Sequence, residues 1–241
     1  MEKIIFFGLV IPILAFVLYL GATAIMKGVS AKNAKVDENI EVEKNEMSLN
    51  DEILVIVPAR GGSKRIKKKN IKKIFGKPMI IWTLSTLFKL IEKKRILVST
   101  DDEEISKTVS DFGLNIDYKR PKSLAGDYVS TIAVAQHALN WYEKKFKKVK
   151  YALIIYPTAI LMESEDLISA IQVMVDTKNC SVVFSAAKYP HPIERAFKKD
   201  KINNIRMLGK ENANNRTQDF KPAFYDVGQF YLCKSEIVLS L

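Results

Sequence analysis

Ile53-Leu54-Val55-Ile56-Val57-Pro58-Ala59-Arg60-Gly61-Gly62-Ser63-Lys64-Arg65 sets an unbroken aliphatic run directly before a glycine pair flanked by cations. The run Ile53 to Val57 predicts a strand buried on both faces, as in parallel sheets covered by helices. Ligands of open α/β sheets gather at the carboxyl ends of strands, which is where the glycine pair falls. Two glycines there let backbone N–H groups approach a phosphate closely, while Arg60 and Lys64 supply positive charge. The loop is neither a Gly-x4-Gly-Lys-Ser/Thr phosphate loop nor a Gly-x-Gly-x-x-Gly dinucleotide turn, so those nucleotide classes lose support.

Working outward, β-branched runs alternate with helical periodicity, and this order predicts a mostly parallel sheet flanked by helices. Pro78 marks a helix start, with the segment to about Leu90 as the first crossover. Arg95 to Ser99 is the next strand, and Thr100-Asp101 is a cap for an acidic-headed helix ending at Gly113. A short strand is expected near Ile116 to Tyr118. The run Ser130 to Phe146 predicts a helix with Ile132, Ala135, Leu139 and Tyr142 on one face and His137 on its surface. Tyr151 to Tyr156 and Ser181 to Ser185 are expected as buried strands around a helix from about Glu165 to Val175. Asp200-Lys201 and Asn203-Asn204 are turn-formers, and Phe224 to Cys233 is a strand without its own crossover helix. Antiparallel additions at one end follow.

The chain has 241 residues, 48% of them hydrophobic, which is enough for one substantial core and excludes a disordered chain. A formal charge of +11 calls for a polyanionic partner: nucleic acid, an acidic membrane surface or a phosphate-rich substrate. Cys180, Cys233, His137 and His191 fit no metal-ligand or disulfide spacing. From Ile4 to Met26 no residue is charged, and about 1.5 Å per residue gives roughly 34 Å, enough to span a bilayer core. Residues 1–27 therefore read as a transmembrane anchor, with a cleaved signal peptide ending near Ala22-Thr23-Ala24 as the rival. Lys27, Lys32 and Lys35 follow the run and only Lys3 precedes it, which puts the rest on the cytoplasmic side. Residues 28–51 read as a charged flexible linker, 52–241 as the folded domain, and Met47 as a second possible start.

The spaced set Pro58-Ala59-Arg60-Gly61-Gly62-Ser63-Lys64-Arg65-Ile66, Lys69-Asn70-Ile71 and Gly76-Lys77-Pro78-Met79-Ile80 resembles the N-terminal signature of the acylneuraminate cytidylyltransferases. Val98-Ser99-Thr100-Asp101-Asp102-Glu103-Glu104-Ile105, Arg120-Pro121 and Tyr156-Pro157-Thr158-Ala159 extend it. His191-Pro192-Ile193-Glu194-Arg195-Ala196 and Tyr225-Asp226-Val227-Gly228-Gln229-Phe230-Tyr231 are similar to the pseudaminic acid branch. The resemblance implies a Rossmann-like nucleotidyltransferase fold, CTP and a nonulosonic acid as substrates, a magnesium cofactor and usually a homodimer. It implies nucleotide contacts from Ala59, Arg60, Gly61, Gly62, Ser63, Lys64, Lys69, Asn70, Arg120, Pro157 and Thr158, with Arg120 on the cytidine side and Arg60 and Lys64 catalytic.

Arg195, Arg216, Gln218, Asp226 and Gln229 are candidates for the sugar acid, an arginine being able to bind a carboxylate in bidentate fashion. Metal ligands stay unassigned. Thr100-Asp101-Asp102 is acidic enough for a metal yet also fits a helix cap, and Asp127 and Asp226 are further candidates. His191 reads as a loop shaper between prolines. The cations Arg65, Lys67, Lys68, Lys72 and Lys73 read as a solvated basic face; a nucleic-acid patch is the competing reading, and no nucleic acid is expected. The family pattern continues into an Asp-x-Asp segment and a final helix, so a truncated C-terminus is expected at Leu241. The alternative function is a catalytically impaired, membrane-tethered nucleotide-binding relative.

Overall fold

The computed structural model describes residues 52–115 and 117–241. The expected membrane-spanning run lies outside them; among the described residues no helix is long and apolar enough to cross a membrane. Within the span read as one domain, the chain clusters as two compact units. Of the described residues, the larger takes those up to Ser185 together with Gly228–Leu241, and the smaller takes Ala186–Val227.

The larger unit is built on β1 (Ile53–Pro58), whose residues are almost wholly buried. β4 (Ile96–Ser99) and β5 (Tyr151–Ile155) lie parallel to it on either side, in register Val57↔Val98 and Val55↔Leu153. β9 (Phe224–Lys234) is antiparallel to β5, pairing Leu153 with Leu232. β6 (Val182–Lys188) lies beyond β9, so the five-stranded order is β4-β1-β5-β9-β6. A two-residue ladder, β2 (Lys73–Ile74) with β3 (Lys77–Pro78), precedes the first crossover helix. Its turn holds Phe75 and Gly76 at positive φ of 49° and 79°.

Alternation along β1 splits the core into two layers, because successive strand side chains point to opposite faces. Ile53, Val55 and Val57 pack with Ile80, Leu84 and Leu87 of α1 (Met79–Leu87) and Ile105 and Val109 of α2 (Glu103–Asp111). Leu167, Ala170 and Met174 of α4 (Ser164–Asp176) join that layer. Leu54 and Ile56 face the other way, against Ala135, Ala138, Leu139 and Tyr142 of α3 (Thr131–Lys145) and Val238 of α5 (Ser235–Ser240). Helices thus cover both faces, which is what a continuous apolar central strand requires.

Three local expectations change. The helix after β4 is capped by Asp102, whose Oδ1 accepts from the Glu104 and Ile105 amides at 2.9 and 3.0 Å, and not by Thr100-Asp101. Residues 117–120 are irregular rather than strand, with Arg120 N bonded to the Thr100 carbonyl. Ile116, the first residue of that expected strand, lies outside the described residues. β6 is half-exposed rather than buried: it ends the sheet beyond β9 with its faces only partly covered, unlike β4 at the opposite edge, which is buried throughout.

In the smaller unit, β7 (Phe197–Lys199) and β8 (Ile205–Met207) form an antiparallel hairpin. Asp200 Oδ1 accepts from the Ile202 and Asn204 amides, and Asn203 sits at φ 68°, the left-handed position that asparagine tolerates.

Candidate active site

β1 ends at the sheet's carboxyl edge, and its last ladder bond passes from Ala59 N–H to the Ser99 carbonyl at 2.8 Å. The chain then turns through Arg60–Lys64, where Ser63 N–H donates to the Gly61 carbonyl at 2.9 Å. Gly61 N–H donates to Asp101 Oδ1 at 3.2 Å. A Cβ at Gly61 would lie 2.4 Å from Asp102 Oδ2 and 2.8 Å from Asp102 Cβ, whereas one at Gly62 would meet nothing within 4 Å. The first glycine is therefore required by the close approach of α2, and the second opens onto the cleft.

That cleft has a volume of about 500 Å³ and is lined by Gly61, Gly62, Ser63, Lys64, Lys67, Lys68, Asp102 and Asp127, among others. Lys67 and Lys68, read from the sequence as solvated cations, thus border it. Lys69 is half-buried in a tight turn outside the lining, and the buried Asn70 donates from Nδ2 to the Arg60 carbonyl at 3.0 Å, bracing the loop. Lys68 is paired with Glu104 of α2, and the Glu104 carboxylate raises the Lys68 ammonium above its ordinary value.

Asp127 bridges the two cations of the loop, with Oδ1 2.7 Å from Arg60 NH1 and Oδ2 2.5 Å from Lys64 Nζ. The Lys64 hydrogen bond, with Arg60 reinforcing it against desolvation, holds the Asp127 carboxyl below its ordinary range. Sequence reasoning had Asp127 only as a candidate metal or substrate residue; nothing in local spacing signals a contact across 67 positions.

Arg120 is 4% exposed. Its Nε donates to Ser99 Oγ at 3.0 Å and NH2 to the Ser99 carbonyl at 2.6 Å. Burial lowers its pKa, opposed by the charge of Asp101 and by Tyr118, while Arg60 adds to the lowering. Arg60, Asp101 and Arg120 thus sense one another at the same sheet edge. Pro157 and Thr158 follow β5; the Pro157 carbonyl accepts from Thr83 Oγ1 at 3.1 Å and ties the turn to α1. Tyr156 Oη lies 2.9 Å from Thr131 Oγ1 at the start of α3, and Tyr156 N–H donates to the Gln229 carbonyl at 3.0 Å.

The candidates for the sugar acid divide between the units. Gln229 is in the larger, its amide 3.2 Å from Ser185 Oγ. In the smaller unit Arg195 donates to the Ala213 and Asn215 carbonyls and lies over the Phe220 ring at 5.4 Å, an internal staple. Arg216 forks onto Asp219 at 3.0 and 3.3 Å, and Gln218 and Asp226 are exposed.

Among the described residues no group of three or more acidic, histidine or cysteine side chains converges as a metal cage. A magnesium ion shared with phosphates needs only one or two carboxylates beside phosphate oxygens and water. Asp102 and Asp127 in the cleft lining fit that lesser demand.

A family profile described as Cytidylyltransferase matches residues 54–235. The pseudaminic acid cytidylyltransferase of Campylobacter jejuni serotype O:2 is 32% identical over 183 residues, covering 76% of this chain and 78% of that protein. A Helicobacter pylori protein joining a pseudaminic acid cytidylyltransferase to a sugar-nucleotide hydrolase is 31% identical, over 76% of this chain and 35% of its own. An N-acylneuraminate cytidylyltransferase of Streptococcus agalactiae is 28% identical over 77% of this chain and 44% of its own. In fold, the chain is similar to CMP:2-keto-3-deoxy-manno-octonic acid synthetase complexed with CTP. That match has a TM-score of 0.56 at 17% identity and covers 78% and 76% of the two chains.

Proposed function

Because the chain belongs to the cytidylyltransferase family, we propose that it activates a nine-carbon sugar acid, pseudaminic acid or a close relative, with CTP, forming the CMP-sugar and pyrophosphate. It is a nucleotidyltransferase, and the alternative of a relative without turnover is not favoured. The observation that carries the reading is the Arg60–Lys64 loop, two cations and a glycine facing open space at the carboxyl end of the central strand.

The sugar hydroxyl oxygen attacks the α-phosphorus of CTP; the new O–P bond forms as the bond to pyrophosphate breaks, and the hydroxyl proton is released. The protein's task is to hold two anions in line and offset charge on the phosphoryl oxygens. Arg60 and Lys64 are the cations we assign to this, with the Gly62 amide beside them. The triphosphate competes with Asp127 for both cations, so the carboxylate holds them in place until phosphate oxygens replace it. Magnesium, when bound, further neutralises the phosphates, and Asp102 and Asp127 are the residues that would hold it. Arg120 lies on the base side, and Arg195, Arg216, Gln218, Asp226 and Gln229 are candidates for the sugar acid.

The reading includes a homodimer and a bilayer tether, with the catalytic domain on the cytoplasmic side. Support for the tether is the uncharged run Ile4 to Met26 followed by Lys27, Lys32 and Lys35; recovery of the chain in the soluble fraction after carbonate washing of membranes would remove it. The function is tested by pyrophosphate release from the full chain with CTP and magnesium, comparing pseudaminic, legionaminic and N-acetylneuraminic acids. Selective turnover with pseudaminic acid is expected, and no turnover with any of the three would overturn the proposal. Arg60→Ala lowers kcat by about 10²- to 10³-fold, the scale of losing one charge-stabilising donor.

A further inference from the structure

The stretch from the cleft loop to α1 is crowded with cations and has no carboxylate from Ser63 to Ile91. Lys64, Lys67 and Lys68 line the cleft. Arg65, Lys72 and Lys73 do not: they are exposed, lie outside its lining, and pair with no carboxylate among the described residues.

The β2–β3 hairpin at the end of this stretch is braced at its base. Met79 N–H donates to the Lys72 carbonyl at 3.0 Å and Trp82 Nε1 to the Ile74 carbonyl at 3.0 Å. Lys77 Nζ donates to Ser85 Oγ at 2.6 Å and lies 4.6 Å from the centre of the Trp82 ring. The tip is the opposite of the base: Phe75 is 94% exposed, and Ile66, beside Arg65, is 42% exposed.

Phe75 gives the fold nothing that a smaller polar residue would not. Its ring is almost wholly in solvent, and its φ of 49° is the left-handed conformation that asparagine and glycine adopt at less cost than a bulky aromatic. A ring presented on a braced turn among cations is suited to the headgroup zone of a bilayer, where the ring meets apolar surroundings and the cations meet anionic lipid. Single-stranded nucleic acid instead needs a groove that tracks its backbone, with rings on which successive bases stack. One ring at a turn tip, with an aliphatic Ile66 as its exposed companion, makes no such groove.

We propose that the β2–β3 hairpin is a membrane-docking element: Phe75 inserts among the headgroups of an anionic bilayer, with Ile66 against its surface and Arg65, Lys72 and Lys73 on the lipid phosphates. This surface lies outside the nucleotide cleft, so its docking depends neither on turnover nor on the N-terminal tether.

Hydrogen exchange of the full chain reads the element locally, whether or not residues 4–26 also hold the chain to vesicles. Exchange in peptides spanning Lys72–Gly76 is expected to slow about tenfold with phosphatidylcholine–phosphatidylglycerol vesicles relative to phosphatidylcholine alone. Each basic side chain near an anionic surface is worth about fivefold, so Lys72→Gln with Lys73→Gln lowers the docked-to-undocked ratio about 25-fold and returns exchange close to the phosphatidylcholine rate. Phe75→Asn keeps the melting temperature, because asparagine tolerates the left-handed turn, and weakens docking about tenfold, the lower end for burying a phenylalanine ring. Equal exchange in the two kinds of vesicle, or protection that survives both variants in a folded protein, overturns the docking role. Protection by a single-stranded oligonucleotide as strong as that by the anionic vesicles overturns it as well, in favour of a nucleic-acid patch.

Discussion

Gly61 and Gly62 are adjacent and chemically identical, yet they carry different demands. A methyl group at Gly61 would overlap the Asp102 side chain at 2.4 Å, so Gly61→Ala must push α2 or the loop aside. The expected cost is about 1–3 kcal/mol, as for other overpacked sites, together with loss of turnover. Gly62→Ala meets open space, so thermal unfolding stays within about 0.5 kcal/mol of the parent and the effect falls on KM for CTP. A pair of melting curves beside a pair of CTP titrations decides this; equal destabilisation by both substitutions would contradict it. Asp127 gives a second prediction at this scale. Removing its charge in Asp127→Asn frees Arg60 and Lys64, and tripolyphosphate binding in metal-free buffer tightens about two- to fivefold, the worth of an exposed ion pair. The folded-state carboxyl is depressed below 3.8, so its pairing is fully present above the ordinary aspartate value. It is lost as pH falls through the lower folded value. The parent and Asp127→Asn therefore differ at neutral pH and converge in strong acid.

Helix ends carry the next scale. α4 begins with a reciprocal box in which Glu163 and Asp166 cap each other's backbone amides, the Asp166 carboxylate accepting from Glu163 N–H at 3.0 Å. Glu163→Ala or Asp166→Ala is expected to cost about 1 kcal/mol of stability with kcat unchanged, measured by urea unfolding beside a turnover assay. β1 and α3 were legible in the sequence because their burial follows their own periodicity: a continuous apolar run for a strand covered on both faces, and a 3.6-residue stripe for a helix. β6 was misread as buried, since Val182-Val183-Phe184 looks the same whether or not other elements cover its faces, and β4, at the opposite edge, is covered where β6 is not. The same limit holds at the site. The glycine pair and its cations were visible as a local motif. The Asp127 bridge and the Asp101 contact with the Gly61 amide depend on contacts 67 and 40 positions apart, which no local pattern displays, whereas the Asp102 cap of α2 is local.

Across the whole molecule, the two-layer core and the long-range field make separate predictions. Leu84 and Leu54 are fully buried on opposite faces of the sheet. Leu84→Ala and Leu54→Ala each lose about 2–5 kcal/mol, and the double substitution adds the two within about 0.5 kcal/mol; marked non-additivity would mean the layers are coupled through β1. The charge of +11 draws a polyanionic nucleotide toward the cleft, so KM for CTP rises between low and physiological salt as the Debye length shortens to about 8 Å. The two cysteines have unequal surroundings. Burial pushes the Cys233 thiol up to about 11, whereas Cys180 is partly exposed, its Sγ 3.6 Å from the Val182 carbonyl just ahead of β6. Thiolate is the reactive form, so a maleimide dye at neutral pH labels one cysteine per folded chain and two in urea. The unmodified protein thus offers a single spectroscopic address beside the edge strand β6, where a fluorophore can report whether two copies of the chain pair.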